Sequence, residues 1–126
     1  MAGEIIVTAG LRLANGDLDS TNIGPDTFSI TQNTAAPVRV AGSQSIGFAA
    51  HEALTVTDLT TLGVGYLRNR DDTNFVEVGL DVGGTFYPLL RINANEAYPV
   101  RFSQSATVYA KADTAAVILE RVILDD

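Results

Sequence analysis

The chain has 126 residues, of which 46% are apolar and 18% are charged, and its formal net charge at pH 7 is −7. This balance is typical of a folded globular domain and excludes a disordered chain. The eight Lys and Arg residues are scattered, so the charge argues against nucleic acid and against an anionic membrane surface as partners.

Several residue types on which specialised sites depend are missing. The chain has no Cys and no Trp, and His51 is its one histidine, so the sequence predicts neither a disulfide framework nor a thiolate metal site. No basic segment followed by a long apolar one marks the N-terminus as a secretory signal, and no apolar run is long enough to span a membrane. We therefore expect synthesis in a cytoplasm.

In the N-terminal half, apolar residues alternate with polar ones at the period of a strand. A regular half-buried strand is predicted from Ile5, Val7, Ala9, Leu11 and Leu13. The polar stretch 15–32 is predicted to form loops around a short strand at residues 28–30, and three more short strands follow at 38–40, 46–48 and 54–56. Residues 58–62, with Thr57 or Asp58 as the cap, are compatible with a short helical turn.

The C-terminal half has a regular rhythm. Strand-like runs begin near residues 64, 74, 85, 97, 107 and 116, about ten to twelve residues apart, as in all-β sandwiches and barrels. Between two of these runs, Gly83 and Gly84 tolerate the positive φ angles of a tight hairpin turn. Three apolar faces are predicted: Val76, Val78 and Leu80; Phe86, Leu90 and Ile92; and Val108, Ala110 and Ala112.

These patterns together predict the fold class. Thirteen Thr, frequent Val and Ile and a single Lys suit pleated surfaces better than helices. We predict one all-β domain over residues 1–126, a two-sheet antiparallel β-sandwich that is jelly-roll-like and has about nine or ten strands. An immunoglobulin-type sandwich is the alternative, although its Cys and Trp marks are missing.

No pattern in the sequence points to catalysis. His51 has no G-x-S-x-G nucleophile motif to accompany it, and we interpret it as an exposed or loop histidine. The acidic residues lack the EF-hand order of ligands, so we interpret them as a solvated surface, with a loop Ca²⁺ site as the alternative. They are Asp17, Asp19, Asp26, Asp71, Asp72, Glu77 and Asp81. We predict no catalytic residue, no metal and no cofactor, and a small enzyme is only the third hypothesis for function.

Six residues are candidates for an interaction surface: Arg68, Arg70, Asp72, Phe75, Tyr87 and Tyr109. The three charged residues belong to an alternating charged segment at a strand end. Such a segment fits either an electrostatic contact to a neighbouring subunit or a polar turn with exposed ion pairs. The three aromatic residues fall opposite their apolar neighbours, which favours an intersubunit or ligand surface. A sugar-stacking platform is the alternative reading of the aromatic residues, although no Trp is present to anchor one.

Residues 59–126 also show a recurring order of elements. A glycine-led strand is followed by the turn Asn69-x-Asp71-x-Thr73-Asn74, a V-x-V-G strand, a hairpin and a hydrophobic last strand. The later marks are Pro88, Glu96, Ala110, Lys111, Ala112 and Asp113. In this order the chain resembles small β-sandwich virion structural proteins of tailed bacteriophages, of the head decoration or cement type.

The resemblance implies a function, a location and partners. It implies a non-enzymatic capsid decoration protein or, as the alternative, a tail- or fibre-associated module that binds a receptor or a carbohydrate. Such a protein would be made in the cytoplasm of a bacterial host and would reside in the virion. Its partners would be itself, as a homo-trimer or other ring, and the major capsid protein or other virion proteins, with no nucleic acid and no membrane.

One strand is expected to contribute directly to such assembly. Because the chain has a single Lys, its strand edges are weakly guarded against pairing with other chains. The regular strand over residues 3–13 is therefore the one that we expect to pair with a second chain.

Overall fold

The structure, a computed structural model, describes residues 5–15, 18–30 and 39–126. These residues contain strands and no helix, and thus no helix that could cross a membrane. The strands are β1 (Ile5–Asn15), β2 (Leu18–Ile30), β3 (Arg39–Ile46), β4 (Glu52–Ala53), β5 (Leu62–Asn69), β6 (Val76–Val82), β7 (Thr85–Ile92), β8 (Ala97–Arg101), β9 (Tyr109–Ala112) and β10 (Val117–Asp125).

The chain divides into two compact units, Met1–Ala35 and Ala36–Asp126. The sequence predicts one sandwich over residues 1–126, whereas the sandwich of the structure lies in the second unit. The first unit is a two-stranded hairpin, in which β1 pairs with β2 and Val7 lies opposite Phe28. A long hairpin makes its backbone contacts between its own two strands, and this is why it separates from the sandwich as a unit.

The hairpin tests two predictions, the strand at β1 and the loops over residues 15–32. The strand predicted from the alternation in β1 is confirmed, but its predicted half-burial is not, because Ala9 and Leu11 are exposed. β1 pairs with β2 of its own chain, and pairing with a second chain stays a prediction. The loops predicted over 15–32 are wrong, because β2 runs from Leu18 to Ile30. Backbone hydrogen bonds between strands do not require apolar side chains, and so a run of Thr, Ser and Asn can form a strand.

The second unit is a jelly-roll sandwich. Its first sheet has the order β3-β10-β5-β8 and its second sheet the order β4-β9-β6-β7, with all neighbours antiparallel. The first of the eight strands pairs with the last, the second with the seventh, the third with the sixth and the fourth with the fifth. This nested pairing is the jelly-roll arrangement. The predicted fold is confirmed.

The core lies between the two sheets of the second unit. Its fully buried apolar side chains come from both sheets: Ile46, Leu67, Ile92, Leu119 and Ile123 are at most 1% exposed. Val108, Ala110 and Ala112 face inward together, as their alternation predicts. The six strands predicted for the C-terminal half all occur, each beginning within two residues of its predicted start.

The connection between the third and fifth strands differs from its prediction. The strand predicted at 54–56 is replaced by the two-residue strand β4, and Phe48 lies in a bend after β3; Val38 lies outside the described residues. The helical turn at 58–62 does not form. The amides of Thr60 and Thr61 donate instead to the Asp125 carboxylate, at 3.0 and 2.9 Å, and a helix would direct them to backbone carbonyls.

The hairpin of β6 and β7 contains both a predicted turn and an unpredicted bulge. Gly83 and Gly84 form the turn with φ angles of 61° and 88°. Between Val78 and Gly79 the register shifts: Val78 pairs with Leu90, but Gly79 pairs with Pro88, so Leu89 is the extra residue. A Cβ on Gly79 would lie 2.0 Å from the carbonyl oxygen of Tyr87, so this close approach requires glycine.

The bulge reverses the alternation within β7 and corrects one predicted face. Ile92 and Leu90 lie opposite Val76 and Val78 and share a face as predicted, whereas Phe86 lies opposite Asp81 on the outer face of the second sheet. Leu80 shares the face of Val76 and Val78, also as predicted. Leu80 and Leu90 are less buried, at 38% and 42% exposed, because they lie near the edge of the sheet.

Candidate interaction surface

The two lateral edges of the sandwich are closed in different ways. Where β3 and β4 meet, polar side chains join the sheets. Gln44 of the first sheet donates to the carbonyl of Ala53 at 3.1 Å and accepts from the amide of Thr55 at 2.9 Å. Arg121 donates to the carbonyls of Gly42 at 3.0 Å and Thr55 at 3.3 Å. Hydrogen bonds therefore close this edge.

Burial has an electrostatic consequence at the closed edge. Arg121 is 7% exposed, and desolvation lowers the pKa of its guanidinium because burial disfavours the charged form. The guanidinium donates to backbone carbonyls in place of the water it has lost. Arg121 is thus a structural clamp between the two sheets.

The opposite edge, between β7 and β8, is open and apolar. A groove of about 380 Å³ runs there between the sheets. Its lining is nearly all apolar: Val78, Gly79, Leu80, Leu89, Leu90, Val100, Arg101, Phe102, Ser103, Ala106 and Val108. Beside it, a second depression lies between Leu90–Ile92 of β7 and Tyr98–Arg101 of β8.

Large apolar side chains stand exposed along this edge. They are Leu80 (38%), Val82 (60%), Tyr87 (53%), Leu89 (68%), Leu90 (42%) and Tyr98 (42%), and we call these six residues the open edge. Their exposed fractions correspond to roughly 500 Å² of largely apolar surface, and the largest apolar patch on a typical single-chain protein covers about 300–600 Å². Such patches are often functional surfaces.

The bulge places Leu89 outside the regular pairing and helps the open edge to resist strand addition. Leu89 is the extra residue and has no residue opposite it in β6. Bulges bend a strand and increase its twist. Pro88 lacks an N–H on the same edge strand, and proline and bulges both hinder pairing with a further strand. The open edge is therefore available to side chains and protected against β-augmentation.

A second cluster of side chains surrounds His51 on the outer face of the second sheet. The His51 Nε2 atom lies 2.5 Å from Asp81 Oδ2, and the imidazole stacks on Phe86 at 5.3 Å and meets Tyr109 edge-on at 5.5 Å. Of the two forms of the prediction, an exposed or a loop histidine, the second is confirmed: His51 lies in the connection between β3 and β4, where these contacts half-bury it. The bond to His51, followed by a bond from the Gly84 amide, lowers the pKa of Asp81.

The rest of that outer face is occupied by paired charges. Glu77 lies 3.6 Å from Arg91, whose guanidinium sits 3.8 Å above the ring of Phe75. Lys111 lies opposite Glu77 in the neighbouring strand. Charges and aromatic rings are thus used within the chain on this face, in contrast to the open edge.

The six residues proposed from the sequence lie on separate parts of the second unit. Arg70 contacts Glu120 at 2.5 Å, and Arg68 pairs with the same Glu120 across β5 and β10 of the first sheet. Asp72 lies in the loop after β5, where it accepts from Asn95 at 3.5 Å. Phe75 and Tyr109 lie on the outer face of the second sheet. Tyr87 alone among the six lies at the open edge.

Sequence reasoning missed most of the open edge. Regular alternation places Leu80 and Leu90 on predicted apolar faces. It gives no indication that Val82 and Leu89 are exposed beside them. One signal was present in the run Tyr-Pro-Leu-Leu-Arg, where two adjacent leucines follow a proline. Adjacent apolar residues in one strand place apolar surface on both of its faces, and the proline marks an edge or a bulge.

The turn from Asn69 to Asn74, which carries much of the resemblance, is a structural element. Asn69 is fully buried; its amide donates to the carbonyls of Asn74 at 2.8 Å and Ile92 at 3.1 Å, and its oxygen accepts from the Asp71 amide at 2.9 Å. The Asp71 carboxylate accepts from the amides of Asn74 and Thr73, which lowers its pKa. These side chains fix the loop that follows β5.

The acidic residues do not form a metal site in the part of the chain that the structure describes. Within residues 5–15, 18–30 and 39–126, no three His, Asp or Glu side chains are grouped so that they could hold a metal ion. The side chains of Asp17 and Asp19, two of the predicted surface carboxylates, lie outside the described residues.

Comparison with known proteins adds no relative. No protein-family model, no curated protein and no solved structure matches this chain. The resemblance to phage structural proteins stays a prediction from the sequence.

Proposed function

We propose that this chain is a non-enzymatic structural protein of a bacteriophage virion, namely a head decoration protein that stabilises the capsid through contacts between subunits. The observation that carries the proposal is the open edge. An apolar patch of roughly 500 Å² along one edge is often a functional surface, and contact with protein is the function that fits its composition. The resemblance of residues 59–126 to phage head proteins is the reason that we propose the virion as the location.

The fold supports the proposal only together with the open edge. Jelly rolls form viral capsid domains, lectins and cupins, so the fold by itself does not choose among these functions. A small-molecule site is an enclosed pocket that is mostly apolar and has a few convergent polar groups. At the open edge, exposed apolar side chains extend beyond the lining of the groove to Val82, Tyr87 and Tyr98, which favours contact with protein.

A decoration protein acts by burying area, and the open edge supplies that area. Covering about 500 Å² of apolar surface is worth on the order of 10 kcal/mol before the cost of lost motional freedom is subtracted. Repeated at every copy around a shell, even a small net gain at each contact resists internal pressure.

The proposal is tested on particles of the phage that encodes the chain. Mass spectrometry of purified virions should detect the chain in many copies, and gold-labelled antibody against it should mark the heads. Absence of the chain from purified virions would contradict the proposal. Labelling restricted to the tail would favour the alternative.

The alternative is a tail- or fibre-associated module that binds a receptor or a carbohydrate, and the cluster around His51 is the observation in its favour. Aromatic rings beside a carboxylate are groups that sugar sites use, and here Tyr109 and Phe86 lie beside Asp81 on one face. A glycan array distinguishes the two functions. Binding that disappears in Tyr109→Ala would support the alternative, and no binding to any glycan would argue against it.

A further inference from the structure

We infer that the open edge is covered by a second copy of this chain. The inference names the partner of the surface on which the proposed function rests, and it concerns contact between copies and not contact with the capsid shell. Its support comes from the area, the charges and the shape of the open edge.

The exposed area matches one side of a stable interface. Interfaces of standard size bury about 800 Å² on each partner, and between about 56 and 65% of that area is apolar. The apolar part of one side is therefore about 500 Å², close to what the open edge exposes. The open edge is thus large enough for a lasting contact without any other part of the sandwich.

The charges at the groove permit two like copies to meet. Among the described residues that line the groove and the depression beside it, the charged ones are Arg91 and Arg101. Arg91 is paired with Glu77, and Arg101 lies 3.0 Å from Asp126. Since each arginine has its carboxylate within the chain, contact between two copies would leave no unpaired charge buried, and no oppositely charged partner is needed.

Folding itself favours a partner that is always present. An exposed apolar patch favours contact with protein, and another copy of the chain is available from the moment of synthesis. The more permanent interfaces of oligomers are also the more apolar ones. These arguments favour a second copy over a partner that is met only during particle assembly.

The shape of the open edge defines how the copies meet. Leu89 and Tyr87 project beside a groove lined by Val100 and Phe102, so projecting side chains of one copy can fill the groove of another. Pro88 and the bulge disfavour an added strand at β7. The contact is therefore made by side chains, and the two sheets do not merge into one.

The solution mass of the purified chain tests the inference. Light scattering over a wide range of protein concentration should give a multiple of 13.3 kDa for the natural sequence. Leu89→Asp places a charge in the proposed contact and should weaken association by about 100-fold or more, giving a monomer. Because Leu89 is 68% exposed in the single chain, the variant should still fold, which circular dichroism checks.

A matched variant controls for the added charge. Ile118→Asp makes the same kind of change at a residue that is 46% exposed on β10, an inner strand of the first sheet, and should leave the mass of the oligomer unchanged. If Leu89→Asp fails to fold, Val82→Asp, at a residue 60% exposed beside the hairpin turn, replaces it with the same expected loss.

The outcomes separate this inference from the proposed function. A natural chain that stays monomeric at all concentrations, or an oligomer that survives in a folded Leu89→Asp or Val82→Asp variant, overturns the inference. A monomer found on phage heads overturns the inference and leaves the decoration function standing. An oligomer that depends on Leu89 but is absent from virions supports the inference and overturns the decoration function.

Discussion

At the scale of single residues, buried polar side chains hold the loops at the ends of the sandwich. Asn69 bonds three backbone groups, and the Asp125 carboxylate accepts from two consecutive amides before β5. Each replaces water that the buried backbone groups have lost. In the residues that the structure describes, these two side chains bind backbone groups and so stabilise the fold.

Asn69→Leu should destabilise the protein strongly although it keeps the branched shape of the side chain. It leaves the carbonyls of Asn74 and Ile92 and the amide of Asp71 without their partner. The free energy of unfolding should fall by about 2–4 kcal/mol, measured by urea denaturation. Asn93→Leu, at an exposed position, is the control and should change it little. Equal effects of the two variants would contradict this role for Asn69.

Asp71 should make stability depend on pH in a defined direction. The amides of Asn74 and Thr73 lower its pKa in the folded state below the ordinary 3.8. A lowered folded pKa contributes stability that is fully present above the ordinary pKa and is lost as the pH falls through the folded one. The stability difference between the natural chain and Asp71→Ala should therefore be constant near neutral pH and shrink in acid below 3.8. A difference that persists unchanged in acid would contradict this.

The sequence predicted this turn as a turn but could not predict what its residues do. Asn, Asp and Thr in close succession favour a turn because their side chains bond nearby backbone groups, and such a local preference can be predicted from the sequence. The burial of Asn69 depends on Ile92, which is distant along the chain and reaches it only through the packing of the sheets. The contacts of His51 were not predictable for the same reason, since Asp81, Phe86 and Tyr109 come from three different strands.

At the scale of elements, the β6–β7 hairpin shows where sequence patterns succeed and fail. Its turn was predicted because Gly83 and Gly84 supply positive φ angles by themselves. Its bulge was not predicted, because the close approach of Gly79 to Tyr87 involves both strands. Unbroken alternation therefore places Phe86 on the same face as Leu90 and Ile92, whereas the bulge puts Phe86 on the outer face.

Gly79→Ala should disrupt this hairpin. The added methyl group would lie 2.0 Å from a backbone oxygen of the partner strand, which cannot move as a side chain can. We expect the free energy of unfolding to fall by about 2–4 kcal/mol and hydrogen exchange to increase in β7. Gly47→Ala is the control, because its methyl group would meet only a carboxylate oxygen of Glu52 at 3.4 Å. Exchange in β7 unchanged by Gly79→Ala would show that the bulge does not depend on glycine.

At the scale of the whole molecule, strand number and class were predictable but the open edge was not. Regular spacing of alternating runs predicts a sandwich, and the eight strands of the second unit form one. Which strands become edges depends on the order in each sheet. Only that order puts β7 and β8 at the ends of their sheets, where Leu89 and Tyr98 are exposed. The surface on which the function is proposed to depend is thus a product of topology.

If the chain comes from a bacteriophage, as we propose, a symmetric electron cryomicroscopy reconstruction of that phage particle tests the central claim most directly. It should show this chain at regular positions over the head, in groups of copies in which Leu89 and Tyr87 of one copy are buried against the next. A head that lacks the chain, or one that carries single copies with these two side chains facing solvent, would contradict the account.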